Sequence, residues 1–217
     1  MRPLTGTQAD SPALPSGFVR LSHFIPGVVL DIRYHGSDNF LGIPVAGYAQ
    51  PEAILSLPAA LALQKVQAAL QTFGFGLKIF DAYRPQQAVA HFLRWEHEPE
   101  DPTIAARFHP DFSKQELFAQ GYIATRSSHT RGSTVDLTLV ADGSHGLEEL
   151  DMGTEFDFFG RQSAPDYAAL PLQQRSNRLL LRQIMGQYGF RGFGLEWWHF
   201  TLANEPFPNQ YFDFPIT

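Results

Sequence analysis

Apolar side chains recur near helical spacing in three segments of the chain, and this spacing predicts three helices. The first segment covers residues 58–73, the second runs from residue 85 to about residue 97, and the third covers residues 172–188. Gly74 and Gly189 follow the first and third segments, as is typical of helix ends. The apolar positions that define the first two helices are Leu61, Val66, Leu70 and Phe73, then Ala88, Phe92 and Trp95.

A period of two residues indicates a strand in the second half of the chain. Val135, Leu137 and Leu139 alternate there with polar residues that include Asp136. Because successive side chains of a strand point to opposite faces, we expect Asp136 to face away from the aliphatic row, toward a polar cavity. Further strands are predicted over residues 76–84, from residue 121 to a turn at residues 130–132, and over residues 193–202.

Helices and strands follow one another without regular β-α-β alternation, and the sequence has no internal repeat of about 20–50 residues. This order predicts an α+β fold, a single domain with a central, mainly antiparallel sheet flanked by helices. A chain of 217 residues, 44% of them apolar, is near the upper end of what one hydrophobic core supports. Residues 1–16 are rich in Pro, Ser, Thr and Gly and are predicted to be a flexible N-terminal segment, which leaves residues 17–217 as the domain.

The formal charge of the chain is −6, from 16 basic and 22 acidic residues, without a Lys/Arg-rich run. This balance argues against nucleic acid or an anionic membrane as the main partner and favours a small or polar substrate. The chain has no cysteine, so zinc would have to be bound by nitrogen and oxygen atoms. The N-terminal sequence lacks the apolar core of a signal peptide, and no stretch reaches the length of about 20 apolar residues that a membrane span needs, so we expect a cytoplasmic location.

Two short stretches, SSHTRGSTVD from residue 127 and EWWH from residue 196, carry residue types suited to a catalytic zinc site. Such a site takes three protein ligands from His and carboxylate groups and leaves a fourth position for water. His129, Asp136 and His199 supply the three ligands for one Zn²⁺ per chain, and Glu196 is left as the base that takes a proton from water. The alternative is structural: a loop His and a strand Asp bonded to nearby backbone, and a glutamate paired at the rim of the sheet.

Glu196 and His199 are three residues apart, and residues at this separation in a regular strand point to opposite faces. Glu196 is therefore expected either in a turn before the strand or next to a bulge that redirects its side chain. Trp197 and Trp198, between them, are expected to be buried in the core.

Arg84 is a further candidate for the reaction. It follows a predicted strand and precedes Pro85, which favours an extended backbone at residue 84 and suits the first turn of the next helix. At this corner a guanidinium could stabilise the oxyanion that forms when water attacks a carbonyl. The alternative is an arginine that is ion-paired with Asp81.

The segment DMGTEFDFF, from residue 151, is typical of a loop with acidic side chains. Most acids in such loops are solvated, but one of Asp151, Glu155 and Asp157 could receive a substrate ammonium group. The other histidines lack a carboxylate-bearing context and are interpreted as structural or surface residues: His23, His35, His91, His97, His109 and His145.

Together these motifs resemble a known family. SxHxxGxxxD, followed some 60 residues later by ExxH, resembles the zinc D-alanyl-D-alanine peptidases that share a fold with hedgehog signalling domains. Within that group the chain is most similar to the VanX-type D-Ala-D-Ala dipeptidases of vancomycin resistance. The motifs that carry this similarity are DAYRP from residue 81, SSHTRGSTVDLTL from residue 127, MGTEFD from residue 152, and EWWHF with the tail YFDFP from residue 211.

The resemblance implies a role for each motif residue. Zinc would be bound by His129, Asp136 and His199, and Glu196 would activate water and then protonate the leaving amine. Arg84 would stabilise the tetrahedral intermediate. In addition, Asp157 would hold the free ammonium group of the dipeptide, and Ser127 and Tyr34 would line the substrate pocket.

The leading hypothesis is therefore a zinc dipeptidase that cleaves D-Ala-D-Ala or a similar D,D-dipeptide. A D,D-carboxypeptidase or endopeptidase that acts on peptidoglycan stems is the first alternative, and it would need an open groove and export. A zinc-binding module without turnover is the second, although a purely structural zinc site has no use for a free base such as Glu196.

Overall fold

The structure is a computed structural model that describes residues 14–144 and 146–217. The segment 1–16, predicted to be flexible, falls mostly outside the described residues, and so does His145. Within the described part, no helix combines the length and the apolar character that crossing a bilayer requires. The cytoplasmic location expected from the sequence stays a prediction.

The three predicted helices are present, with small differences at their ends. The α-helices are α1 (Leu21–Phe24), α2 (Leu57–Gln71), α3 (Gln86–Trp95), α4 (Pro102–Phe108), α5 (Lys114–Ala119) and α6 (Leu172–Gln187). Short 3₁₀ helices cover Arg33–His35, Ser128–Arg131 and Arg161–Ser163. Pro85 is the N-cap residue immediately before α3. Its lack of a backbone N–H costs nothing at this position, because the first N–H groups of a helix have no partner within the helix.

The strands form one large sheet and one small one. They are β1 (Phe18–Arg20), β2 (Val29–Leu30), β3 (Ile54–Ser56), β4 (Phe75–Asp81), β5 (Thr134–Gly143), β6 (Gly146–Glu149), β7 (Phe190–Gly192) and β8 (His199–Leu202). The large sheet has the order β2-β4-β5-β8-β7, with β6 also paired to β5, and only its β2-β4 pair is parallel among the described strands. The prediction of an α+β fold with a mainly antiparallel central sheet is confirmed.

Strand β5 places the polar residues of the site next to one another. Asp136 lies opposite Asp81 of β4 on one side and opposite His199 of β8 on the other. The register between β4 and β5 shifts between Ile79 and Asp81, and such an irregularity redirects the strand that carries it. Three chain segments that are distant in sequence therefore meet at the end of the sheet.

The alternation predicted for β5 is confirmed. Val135, Leu137 and Leu139 are fully buried in the hydrophobic core, whereas Asp136 lines a cavity. Helix α2 contacts β4, and α6 contacts β5 and β7, so that these helices cover the sheet.

Helix α2 faces the core with a different set of residues from the predicted one. Val66 and Leu70 are buried as expected, but Leu61 is 44% exposed and Phe73, just beyond the helix, is 78% exposed. The buried stripe is completed by Ala59, Ala60 and Leu63. Ala59, Leu63, Val66 and Leu70 are spaced by three or four residues, so this regular helical stripe, and not the one through Leu61 and Phe73, faces the core.

One predicted strand is absent, and another is shorter than predicted. Residues 121–127 form a loop, followed by the 3₁₀ helix Ser128–Arg131, because Ser127 caps that helix by accepting a hydrogen bond from the His129 amide. The last strand begins at His199 and not at residue 193, while Phe190–Gly192 is a separate strand. Glu196 lies in the turn before β8, which is the first of the two arrangements that its offset from His199 left open.

Candidate metal centre and substrate cavity

One cavity of about 410 Å³ brings together every residue predicted to act in the site. These residues come from separate parts of the fold: the first 3₁₀ helix, the second 3₁₀ helix with its N-cap, the segment after β4, strand β5, the loop after β6, the turn before β8, and the start of β8. Its lining includes Tyr34, Arg84, Ser127, His129, Asp136, Asp157, Glu196 and His199.

The three predicted metal ligands form a compact triangle. His129 Nε2 lies 3.3 Å from both Asp136 Oδ2 and His199 Nδ1, and His199 Nδ1 lies 3.1 Å from Asp136 Oδ1. In a tetrahedral zinc site with bonds of about 2.0–2.1 Å, donor atoms are about 3.3–3.4 Å apart. Both the spacing and the two-nitrogen, one-carboxylate chemistry of the donors therefore fit zinc. Among the described residues this is the one group of His, Asp and Glu found close enough to hold a metal ion.

Each imidazole of the triangle is oriented by a contact of its other nitrogen. His129 Nδ1 donates to the Ala82 carbonyl at 2.7 Å, which leaves Nε2 with its lone pair toward Asp136. His199 Nε2 lies 3.4 Å from the Ser128 hydroxyl, so that Nδ1 is the atom turned toward the triangle. Such outer contacts fix the tautomer and the ring orientation of metal-binding histidines.

The directions in which the pKa values of Asp136 and His199 shift also suit metal ligands. Burial alone would raise the pKa of Asp136, but the facing imidazoles of His129 and His199 lower it overall. Burial lowers the pKa of His199. An ionised carboxylate and a neutral imidazole are the forms that coordinate metal ions.

Glu196 lies beside the triangle without belonging to it. Its Oε2 atom is 3.6 Å from His199 Nδ1, and the residue is 7% exposed. Burial raises the pKa of this carboxyl well above its usual range, and the carboxylates of Asp136 and Asp157 raise it further. A carboxyl group with a raised pKa in a cavity is typical of a group that exchanges protons during a reaction.

Arg84 is ion-paired and also faces the cavity. It is ion-paired with Asp81, to whose Oδ2 it donates from Nε and Nη2 at 2.9 and 2.8 Å. It also faces the cavity, where Nη2 lies 3.7 Å from Asp136 Oδ2 and the guanidinium lies about 5 Å from the ring centroids of Tyr34 and Phe92. The ion pair holds the guanidinium in place at the edge of the triangle.

Asp157 differs from the other acids of its loop because it is buried. It is 3% exposed, whereas Asp151 and Glu155 are exposed. Its backbone has a φ of 63°, a left-handed conformation that is uncommon for residues other than glycine. The Tyr34 hydroxyl donates to both carboxylate oxygens, at 3.0 and 3.2 Å, and burial, followed by the charge of Asp136, raises the pKa of Asp157 well above its usual range.

The sequence interpretation missed several residues that shape the site. Tyr48 donates to Asp81 Oδ1 at 2.6 Å and so completes the pairing of that buried carboxylate with Arg84. Aromatic rings form part of the cavity wall, and they belong to Phe40, Phe92, Phe159 and Trp198. The cavity lining also contains the cations Arg126, Arg131 and Arg191. No local sequence signal distinguishes these residues from ordinary core aromatics and surface arginines.

The cations of the cavity lining are in different environments. Arg131 is ion-paired with Glu205 at 2.8 Å. Arg126 lies with its guanidinium 4.1 Å from the ring centroid of Tyr211, and Arg191 is exposed on β7. The cavity therefore presents carboxylates and Arg84 near the triangle, and further cations elsewhere in its lining.

Comparison with known proteins gives consistent results. The peptidase M15 family model, described as D-Ala-D-Ala dipeptidase, matches residues 15–217. The chain is 39% identical over 204 residues to a D-alanyl-D-alanine dipeptidase of Enterococcus faecalis, a match that covers 94% of this chain and 100% of the relative. It is 41% identical over 199 residues to a D-alanyl-D-alanine dipeptidase of Streptomyces coelicolor, with 92% and 98% covered. Among solved structures, the LdcB LD-carboxypeptidase is 17% identical, with a TM-score of 0.46 over 88% of this chain and 70% of that one.

Proposed function

The chain belongs to the D-Ala-D-Ala dipeptidase family of peptidases, and on this premise we propose that it hydrolyses D-alanyl-D-alanine, or a similar D,D-dipeptide, to free D-amino acids. The observation that carries the proposal is the convergence of a zinc-compatible triangle, a separate buried glutamate and a buried aspartate on one cavity. The proposal includes one zinc ion per chain and a cytoplasmic site of action.

His129, Asp136 and His199 would hold the zinc ion. When bound there, it would supply a Lewis acid able to polarise the scissile carbonyl and make water more acidic. Glu196 takes the proton from the attacking water, and it can do so because its carboxyl is beside the triangle and is not needed as a ligand. The same carboxyl then gives the proton to the leaving amine.

Arg84 stabilises the negative charge that develops on the carbonyl oxygen. Its guanidinium is already oriented by Asp81 and by the Tyr34 and Phe92 rings, so that little reorganisation is needed as the charge forms. A donor of this kind contributes about 3–4 kcal/mol to the stabilisation of the transition state.

Asp157 binds the free ammonium group of the dipeptide. Its carboxylate is buried and, within the described residues, accepts hydrogen bonds only from Tyr34, so it has unused acceptor capacity. A peptide extended at its N-terminus has no ammonium at this position and would leave the buried carboxylate unpaired, which penalises longer chains. The cations of the lining complement the carboxylate of a zwitterionic dipeptide.

The function is tested with zinc-loaded protein and its Glu196→Gln variant, whose zinc content is measured on the same samples. The wild type should release D-Ala from D-Ala-D-Ala and leave L-Ala-L-Ala largely uncleaved. The variant should retain zinc and lose activity by about 100- to 10,000-fold, the range expected for loss of a general acid–base group. Equal activity of wild type and variant at equal zinc content would show that Glu196 is not the base.

A further inference from the structure

The loop that carries Asp157 is fastened at both ends to one side chain outside the cavity. Arg178 of α6 is 3% exposed, and its guanidinium donates to three backbone carbonyls. Nε bonds the Met152 carbonyl at 2.7 Å, before Asp157, and Nη1 bonds the Gln162 and Ala164 carbonyls at 2.8 Å, after it. Because a guanidinium is planar and rigid, these bonds fix the distance between the two ends of the loop.

A chain of hydrogen bonds connects the same loop to the turn that carries Glu196. Trp197 Nε1 donates to Thr154 Oγ1 at 2.8 Å, Thr154 Oγ1 lies 3.0 Å from Ser163 Oγ, and Ser163 Oγ donates to the Phe158 carbonyl at 2.5 Å. The direction of each bond is determined, because an indole N–H only donates and a carbonyl only accepts. We call this chain the hydroxyl relay; it runs from the residue after Glu196 to the residue after Asp157.

The two features act on the same segment. The Arg178 guanidinium carbon lies 6.0 Å from the centre of the Trp197 ring, within the range of a cation–π contact, so it also borders the start of the hydroxyl relay. In the described part of the chain, neither Arg178 nor any of the side chains of the hydroxyl relay lines the substrate cavity. Their effect on the reaction must therefore be indirect.

We propose that Arg178 and the hydroxyl relay form a positioning device that sets the place of the Asp157 carboxylate relative to Glu196, and thereby the preference for substrates with a free ammonium group. This inference rests on the proposed function, in which Asp157 binds that ammonium. Asp157 needs such support because its left-handed backbone conformation persists only when the surrounding structure enforces it.

The test compares two substrates that differ at the ammonium alone: D-Ala-D-Ala and D-lactyl-D-alanine, in which a hydroxyl replaces the amine. The ratio of their kcat/KM values measures recognition by Asp157. The device predicts that Arg178→Met reduces this ratio by about 10- to 100-fold, the effect of a misplacement of about 1 Å. Arg178→Lys, which keeps a cationic donor, should restore part of the ratio.

Ser163→Ala interrupts the hydroxyl relay with a much smaller change and should also lower the ratio. Matched controls are Arg182→Met, one turn further along α6 and paired with exposed Asp166, and Ser176→Ala, whose hydroxyl bonds the Leu172 carbonyl. Both controls should keep the wild-type ratio. If Arg178→Met does not fold, the ratios of Arg178→Lys and Ser163→Ala decide.

The outcomes separate the two proposals. No cleavage of D-Ala-D-Ala would refute the proposed function, and a wild-type ratio near one would refute Asp157 as the ammonium site. A large wild-type ratio that persists in Arg178→Met, Arg178→Lys and Ser163→Ala, while both substrates lose activity equally, would refute the positioning device and leave Asp157 as the ammonium site.

Discussion

Replacement of Asp157 by asparagine removes the proposed ammonium partner with little change in shape. Loss of the charge-assisted hydrogen bond costs about 1.5–3 kcal/mol, and a buried ammonium left without its partner costs about 3–5 kcal/mol. The Tyr34 hydroxyl, 3.0 Å from the carboxylate in wild type, remains available to the substrate. The cost of the unpaired ammonium is therefore expected in the lower part of its range of about 3–5 kcal/mol. A loss of about 3–4 kcal/mol corresponds to a decrease in kcat/KM of about 100- to 1000-fold.

The assay is release of D-Ala from D-Ala-D-Ala by zinc-loaded wild type and Asp157→Asn, at equal zinc content. Glu155→Gln is the matched control, because Glu155 lies two residues earlier in the same loop, is exposed, and pairs with Arg107. The control should keep wild-type kinetics. If Asp157→Asn retained kcat/KM within about threefold of wild type, the ammonium would be bound elsewhere and the reasoning would be refuted.

Asp157→Asn, which lowers activity, should raise the free energy of unfolding at neutral pH. Burial and the charge of Asp136 raise the pKa of Asp157, so the folded state disfavours the ionised form relative to the unfolded state. The free energy of unfolding of wild type therefore falls relative to that of Asp157→Asn as the pH rises above the ordinary pKa of aspartate. The difference between the two proteins disappears again at lower pH. Thermal unfolding of both proteins across this pH range measures the gap, and a variant that is less stable than wild type at neutral pH would contradict the cause given for the shift.

Three further predictions concern other parts of the site. Arg84→Lys loses the bidentate hydrogen bond to Asp81 and should lower kcat by about 100- to 1000-fold, with little change in zinc content. An unchanged kcat would contradict the role of Arg84 at the oxyanion. His199→Ala removes one of three ligands, so zinc measured after dialysis should fall well below the one equivalent expected of wild type, whereas His109→Ala, outside the cavity lining, should retain it. Gly132→Ala should lower the free energy of unfolding by about 2–4 kcal/mol, because Gly132 has a φ of +79° and an added Cβ would meet the Phe18 ring. An unchanged midpoint of urea unfolding would refute this prediction.

Part of the candidate site could be predicted from local rules. Asp136 could be assigned to the cavity from the alternation of β5, and the offset of Glu196 from His199 left two arrangements, of which the structure contains the turn. The loop before His129 was mistaken for a strand because the capping of a 3₁₀ helix by Ser127 has no apolar periodicity. Local spacing was therefore informative wherever side-chain direction follows from one regular element.

Features that depend on contacts between distant segments could not be predicted. Asp157 has the sequence context of a solvated acid, so only the family resemblance singled it out, and its burial depends on packing of the whole loop. The pairing of Asp81 with Tyr48 joins residues 33 positions apart. The contacts of Arg178 could not be predicted either, since its three acceptors are backbone carbonyls, which every residue type has.

The ratio of kcat/KM for D-Ala-D-Ala to that for a pentapeptide ending in D-Ala-D-Ala tests the account most directly, because it measures whether a free ammonium is required next to the scissile bond. With zinc-loaded wild type we expect a ratio of at least about 100, since the pentapeptide leaves the buried Asp157 carboxylate unpaired. Equal kcat/KM values for the two substrates would contradict a dipeptidase and would favour a carboxypeptidase with an open groove.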